Sequence, residues 1–382
     1  MFTRFLSTPN DSVLLLGPRG TGKSTWIKQR FPNVPLYDLL NSNESLRLSK
    51  DPSALFRELS ILKEGQWAVI DEVQKVPALL DEVHRLIEDR HIKFVLSGSS
   101  ARKLKRGSAN LLAGRALLIH MYPLVSAEVD YRIKIPDALQ FGMLPMAFAG
   151  DDPVSYLRTY AEVYLQEEIK GEALTRNIGH FGRFLEVAAR QNGQVTNVSN
   201  ISRDAQVSRQ TVQGYFDILN DTLIGFWLTP WKLKRATKQV AHPKFYFFDS
   251  GVARALSGRL PYPPADEELG PLLETFMLSE VKAFLAYSGK NYSLHFWRTH
   301  DNVEVDLFCE TQNGYVAIEL KASQRWDNQY NKGLNRIGAE LGEGKVRRYG
   351  VYLGEREASF GSIRVLPFIG FLKALWAGEI IQ

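Results

Sequence analysis

The sequence predicts an α/β protein. A parallel sheet comes first, then a helical segment, then a second α/β region. Two observations carry this. From the start to about residue 125, apolar strand-like runs alternate with helix-like stretches, as in a parallel sheet flanked by helices. Near residue 313, Asn-Gly sits between two β-rich runs, the strongest short signal for an antiparallel hairpin.

The first strand is the apolar run Val13-Leu14-Leu15-Leu16, and Thr25 to Arg30 reads as the start of a helix. Between them, Gly17-Pro18-Arg19-Gly20-Thr21-Gly22-Lys23-Ser24-Thr25 fits the phosphate-loop pattern G-x-x-x-x-G-K-[ST] at every fixed position. Gly17, Gly20 and Gly22 let the backbone turn tightly and come close to an anion. Successive N–H groups and the positive end of the helix dipole then cradle phosphates. Lys23 is expected to reach the β- and γ-phosphates, and the Ser24 hydroxyl to sit on Mg²⁺.

Further along, Val34 to Leu39 reads as a short strand and Pro52 to Lys63 as a helix. Trp67-Ala68-Val69-Ile70-Asp71-Glu72 is an apolar strand ending in two acids, the Walker B pattern. Ligands of open α/β sheets sit beyond the carboxyl ends of the strands. Asp71 is thus placed to hold Mg²⁺ through water, and Glu72 to orient and polarise the attacking water. A helix from Ala78 to Arg90 leads to another buried strand, Lys93 to Ser100, whose polar end is expected beside those acids. Ser97 is the expected sensor of the γ-phosphate or holder of the water. Charge on a transferring phosphoryl group calls for a cation, and the candidates are Arg102 and Arg115. Arg115, just ahead of the apolar stretch Ala116 to Met121, suits an arginine finger supplied in trans. Either arginine also suits a plain surface charge.

Length and composition bound the rest. The 382 residues exceed one ordinary core, so two or three domains are expected. With 45% hydrophobic and 23% charged residues the chain reads as soluble. No apolar run is long enough to span a bilayer, and MFTRFLSTPNDS lacks a signal-peptide core, so a cytoplasmic protein without membrane contact is expected. A single cysteine, Cys309, excludes an intrachain disulfide framework or cysteine-based metal site. It lies in a strand-like stretch and reads as core. A net charge of +5 permits nucleic-acid contact without demanding it.

In the middle, Val154 to Glu172 and Ile178 to Gln191 read as helices. Asn200 to Leu219 fits a helix-turn-helix. Val207 is the turn, Ser208 caps the second helix, and Val212, Tyr215, Phe216 and Leu219 face the core. Leu223 to Leu228 reads as a strand and Trp231 to Lys238 as a basic wing. In a DNA-reading unit of this kind, Arg209, Gln210 and Gln213 would enter the major groove. Lys232, Lys234, Arg235 and Lys238 would meet phosphates. Such a unit also serves as a lid or docking surface that never touches DNA.

Toward the end, Lys244 to Asp249 is an aromatic strand and Leu272 to Tyr287 a helix carrying Glu274 and Glu280. The hairpin follows. With Asn313 and Gly314 as its turn, Asp306 pairs across from Lys321 and Glu319 is the diagonal neighbour, all on one face. Asp306, Glu319 and Lys321 match the PD-(D/E)xK nuclease arrangement. Two carboxylates bind Mg²⁺, and the metal or the lysine activates a water and stabilises charge at the scissile phosphate. Glu274 is a candidate further ligand. The bland alternative is a solvated cross-strand Asp–Lys pair, worth under about 1 kcal/mol.

In this order the parts resemble a widespread prokaryotic family of AAA-type ATPases. Its C-terminal domain of unknown function is similar to PD-(D/E)xK endonucleases. The resemblance rests on GPRGTGKST, WAVIDEVQ, FVLSGSSARKL, LAGRALLIHMYPL, VSRQTVQGYFDIL, KFYFFDSG, WRTHDNVEVD and AIELKAS. It implies ATP binding and hydrolysis with Mg²⁺ and assembly into homo-oligomers. By motif, Lys23 and Ser24 bind phosphate and Mg²⁺, Asp71 and Glu72 are the Walker B acids, and Asp306, Glu319 and Lys321 take the nuclease-like positions. The expected fold is a P-loop NTPase (AAA-type) parallel sheet over residues 1–130. A helical and winged-helix domain over 131–240 and a restriction-endonuclease-like α/β domain over 241–382 follow. The leading reading is an ATP-hydrolysing, DNA-associated machine. The alternatives are a nucleotide-dependent oligomeric switch that docks a protein partner, with an inert C-terminal fold, and a small-molecule kinase.

Overall fold

The structure is a computed structural model that describes residues 2–100, 112, 114–164, 178–232 and 242–382. Its contacts divide the chain into two compact units. One holds Arg4–Pro123 with Asp217–Ile224. The other holds Leu124–Phe216 and Gly225–Gln382 with the residues before Arg4.

In the first unit, β1 (Val13–Leu16), α1 (Lys23–Arg30) and β2 (Leu36–Asp38) are followed by α2 (Ser42–Lys50) and α3 (Ser53–Leu59). Then come β3 (Trp67–Asp71), α4 (Leu79–Arg90), β4 (Lys93–Gly98) and β5 (Leu117–His120). The five strands form a parallel sheet in the order β2-β3-β4-β1-β5. Its inner strands are buried apolar runs, as expected when helices cover both faces. Helix α2 had no counterpart in the sequence reading. It buries only Leu48, so it lacks an apolar stripe, and it starts because the Asn41 side chain accepts from the Asn43 and Glu44 N–H groups.

The second unit starts with three short helices, α5 (Ile135–Phe141), α6 (Pro145–Ala149) and α7 (Pro153–Thr159), and a π-helical turn at Tyr160–Tyr164. The helix expected to run on to Glu172 therefore changes pitch at Tyr160, and residues 165–177 lie outside the described ones. Next come α8 (Ile178–Arg190), α9 (Val198–Ala205) and α10 (Arg209–Asp221), whose last residues fall in the first unit.

β6 (Gly225–Pro230) and β7 (Lys244–Phe247), one on each side of residue 240, pair antiparallel, and β6 also runs parallel to β8 (Leu294–Arg298). Between them lie α11 (Ser250–Leu256) and α12 (Asp266–Tyr287). β9 (Glu304–Thr311), β10 (Gly314–Lys321), α13 (Lys332–Leu341), β11 (Val346–Tyr352), β12 (Ala358–Phe360), β13 (Ile363–Pro367) and α14 (Phe368–Trp376) complete the unit. Eight strands share one mixed sheet, ordered β12-β13-β11-β10-β9-β8-β6-β7. Helix α12 starts six residues before the expected Leu272. Pro271 lies inside it, within the first turns, and Asp266, Glu267 and Glu268 favour the helix dipole while the Glu268 carboxylate accepts from Ala265 N–H at 2.9 Å.

One buried acid joins several of these pieces. Asp249 caps α11, accepting from Val252 N–H at 3.1 Å, and also accepts from Met143 N–H at 2.7 Å. Burial pushes its carboxyl up to about 6, against those hydrogen bonds. Gly142 closes around it with φ +73°, and a Cβ there would lie 1.9 Å from Asp249 Oδ1. Gly142→Ala is expected to destabilise the protein by about 2–4 kcal/mol through strain and overlap. Thermal unfolding measures it, and a variant as stable as wild type would remove Gly142 from this account.

Candidate functional site

The phosphate loop leaves β1 at Leu16 and returns as α1 at Lys23. Gly20 and Gly22 have φ of +77° and +93°, a conformation that favours glycine. Gly17 is needed for another reason, because a Cβ there would lie 2.4 Å from the Met121 carbonyl oxygen. Thr21 Oγ1 donates to Pro18 O at 2.9 Å and ties the loop to itself. Helix α1 has no side-chain cap and no acid in its first turn, so its leading N–H groups suit an anion. Lys23 is buried and donates to Gly17 O at 2.7 Å and Pro18 O at 3.1 Å. Ser24 is half-buried and Thr25 exposed.

Strand β4 lies between β1 and β3, with Leu15 opposite Ser97 and Ile70 opposite Leu96. The serine-rich end of β4 therefore sits between the phosphate loop and the two acids. Asp71 and Glu72 are both buried. The Ser97 hydroxyl donates to Asp71 Oδ1 and accepts from Glu72 N–H at 3.2 Å. Two residues on, Ser99 reaches the Glu72 carboxylate, which also takes a hydrogen bond from the Gln74 amide. Gln74 was not singled out from the sequence.

Neither was Arg4, a lone cation in the apolar FTRFL segment. Its buried guanidinium donates to Thr21 O in the phosphate loop, and to Tyr122 O and Pro123 O at 2.6 and 3.1 Å. Arg115 pairs with Glu88 of α4 at 2.5 Å. Arg102 lies outside the described residues.

The hairpin of the second unit differs from expectation by two residues in its pairing. Gly314 pairs with Thr311 and Ile318 with Leu307, a register that, carried past the last pair, sets Glu319 opposite Asp306 and Lys321 opposite Glu304 rather than Asp306. The turn residues are Gln312 and Asn313. Gly314 already belongs to β10, at φ +114°, where a Cβ would lie 2.5 Å from Lys345 O on the neighbouring chain segment. The three named side chains still share a face.

Asp306 Oδ2 accepts from Leu320 N–H at 2.7 Å and lies 4.0 Å from Lys321 Nζ. Lys321 pairs with Glu319 Oε1, while Glu319 Oε2 is buried without a partner among the described residues. Glu274, from α12, accepts from the Tyr246 hydroxyl and pairs with Lys244 Nζ at 3.3 Å. Lys244 also pairs with Glu304 at 2.6 Å. Burial pushes Glu274 up to about 7, with Lys244 opposing the shift. Burial and the Asp306 charge raise Glu319 well above the carboxylate range. Burial alone would lower the Lys244 ammonium, but Glu274, Glu304 and Asp306 turn the net shift upward. Lys244, Tyr246 and Glu304 are thus part of a cluster that the sequence indicated only through Asp306, Glu319, Lys321 and Glu274. Among the described residues no three His, Cys, Asp or Glu side chains form a ready metal cage. Glu280 plays a different part. It accepts from Ser126 N–H at 2.6 Å and Trp376 Nε1 at 2.7 Å, away from this cluster's named bonds.

In the helix pair α9–α10, Gln206 turns the chain at φ +56° and the Ser208 hydroxyl accepts from Thr211 N–H at 3.1 Å. Val212, Tyr215, Phe216 and Leu219 are buried, with Tyr215 and Phe216 against Phe181 and Phe184 of α8. Arg209, Gln210, Gln213 and Lys232 are exposed. Lys234, Arg235 and Lys238 lie outside the described residues. No helix among the described residues is long and apolar enough to cross a membrane.

Comparison with known proteins divides the chain in three. Residues 9–129 match the family described as an AAA domain, residues 133–262 a domain of unknown function (DUF8612), and residues 269–370 a domain of unknown function (DUF4143). An uncharacterized protein of Mycobacterium tuberculosis is 28% identical over 319 residues, covering 81% of this chain and 70% of its own length. An uncharacterized protein of Methanocaldococcus jannaschii is 20% identical over 357 residues, covering 83% of this chain and 79% of its own. Among solved structures, the Aeropyrum pernix ORC2 protein overlaps at a TM-score of 0.35 with 11% identity, covering 70% of this chain and 88% of its own. That overlap is too small to argue from. The family match over 9–129, together with a phosphate loop and a strand ending in Asp71 and Glu72 on one parallel sheet, makes this part of the chain an AAA-type P-loop ATPase.

Proposed function

We propose that the chain is a Mg²⁺-dependent ATP-hydrolysing machine that acts on DNA, with a helix-turn-helix for contact and a nuclease-like cluster in its C-terminal region. The observation that carries the ATPase chemistry is the placing of Ser97 between the phosphate loop and the Asp71–Glu72 pair. In this reading Lys23 leaves its loop carbonyls for the β- and γ-phosphates, joined by the N–H groups of residues 17–25. Ser24 and Asp71 would hold Mg²⁺, a hard cation that suits a hydroxyl, one carboxylate and waters. Mg²⁺ there would neutralise charge on the phosphates. Glu72 takes a proton from water as the water oxygen bonds to the γ-phosphorus. The bond from that phosphorus to the bridging oxygen breaks, giving ADP and phosphate. Arg115 is assigned as the finger toward a neighbouring copy, exchanging Glu88 for the phosphoryl group, which makes a homo-oligomer the working state. Lys23→Ala is expected to lower ATP hydrolysis at least about a hundredfold in a phosphate-release assay. Full activity would sink the assignment.

Two features support the DNA side. Arg209, Gln210 and Gln213 are exposed at the start of the second helix of the pair, the end that reads base edges in such units. Asp306, Glu319 and Lys321 share a face, and the buried, unpartnered Glu319 Oε2 marks a place for a cation. Mg²⁺ keeps most of its waters and needs only one or two carboxylates, so Asp306 and Glu319 suffice and Lys321 is left to steady charge at the scissile phosphate. Affinity for duplex DNA is expected to fall steeply with added salt, and to weaken on Arg209→Ala. Fluorescence anisotropy measures both, and no binding at low salt would remove this part. Plasmid cleavage with Mg²⁺ or Mn²⁺, with and without ATP, is expected in wild type and lost in Lys321→Ala. No cutting under any condition would make the cluster inert.

One observation favours the second reading, a nucleotide-driven switch that docks a protein partner. Lys244 and Lys321 already neutralise much of the carboxylate charge that a metal would otherwise meet. Absence of both DNA binding and cleavage, with ATPase activity intact, would favour it.

A further inference from the structure

We infer that Gln74 is a positioning residue for ATP hydrolysis, holding Glu72 so that one carboxylate oxygen faces the attacking water. This rests on the role of Glu72 proposed above.

Glu72 ends the strand in an uncommon way. Its φ is +61° and ψ +45°, a left-handed conformation that non-glycine residues avoid unless their surroundings enforce it. The turn it makes sends Val73 into the core, fully buried, and brings Gln74 back over Glu72 within a single 3₁₀ turn. There the Gln74 amide Nε2 donates to Glu72 Oε2 and to Ser99 Oγ at 3.2 Å. Ser99 Oγ lies 3.4 Å from the same Glu72 Oε2. The three side chains form a closed triangle on one oxygen. Glu72 Oε1 takes no hydrogen bond among the described residues, and is the oxygen left for water.

The orientation of the Gln74 amide follows from chemistry. Reversed, its carbonyl oxygen would face a carboxylate oxygen, acceptor against acceptor. With the NH₂ toward Glu72, Oε1 must point the other way, and it is buried without a partner among the described residues. The neighbour on that side is Gly98, where a Cβ would lie 2.7 Å from Gln74 Oε1. The Ser-Gly-Ser at 97–99 thus has three duties. Ser97 binds Asp71, Ser99 binds Glu72, and Gly98 leaves room for Gln74. An unpartnered buried amide oxygen is costly, and an apolar side chain of the same length would fill the same space without that cost. The arrangement is intelligible if the donor is what the site needs.

Gln74→Met keeps the length and removes the donor. Gln74→Glu keeps the shape and sets a second carboxylate against Glu72. Gly98→Ala leaves both partners unchanged and displaces Gln74. In steady-state ATP hydrolysis, Gln74→Met is expected to lose about tenfold in kcat and Gln74→Glu more, with KM for ATP and affinity for a fluorescent ATP analogue within about twofold of wild type. Gly98→Ala is expected to lose kcat in the same manner. Wild-type kcat in both Gln74 variants would overturn the inference, as would a rise in kcat, which would make the contact a brake, or a loss that tracks nucleotide affinity. Glu72→Gln is run beside them. If it hydrolyses ATP like wild type, the proposed role of Glu72 itself fails. If it is inactive while the Gln74 variants are normal, only the positioning role fails.

Discussion

A charge taken out of water must meet an opposite charge or a set of dipoles, because the cost of leaving it alone exceeds what a domain has to spare. Both candidate sites are arranged under that constraint. In the first unit, Lys23 is buried and rests on two carbonyl oxygens of its own loop. In the second, four carboxylates and two ammonium groups share a half-buried face, and each ammonium is placed between acids. The difference between the two lies in what is still open. The phosphate loop presents donors that await an anion. The cluster has largely satisfied itself, with Glu319 Oε2 the exception.

The nucleotide site was legible because its information is local. Nine consecutive residues fix the loop, and the strand ending in Asp71 and Glu72 announces itself by four apolar positions. The cluster was legible only as far as strand alternation reaches. Asp306, Glu319 and Lys321 lie on one face in any register that differs by two residues, so the face was readable while the pairing was not. The register turned on whether Gly314 belongs to the turn or the strand, and a close approach by Lys345, thirty-one positions later, decides that. No periodicity within the hairpin carries this information.

Residues that act through other residues were the least visible. Arg4 reads as a cation in an apolar segment, yet it ties the phosphate loop to the exit of β5. Gln74 reads as an ordinary polar residue after a Walker B strand. Its meaning depends on Ser99, twenty-five positions away, and on the missing side chain of Gly98. Helix α2 was invisible because it buries a single leucine. In each case the deciding interaction is a hydrogen bond or a close approach across the fold, and sequence spacing has no access to either.

The eight-stranded sheet has a consequence for how the protein is made. Lys244 sits on β7, and its partner Glu304 on β9, about sixty residues later. At the usual 5–20 residues per second of synthesis, the lysine leaves the ribosome several seconds ahead of that partner. Throughout this interval β7 already has its sheet neighbour β6, while β6 still waits for β8 on its other side. Lys244 thus has Glu274 alone of these two acids to pair with until β9 brings Glu304.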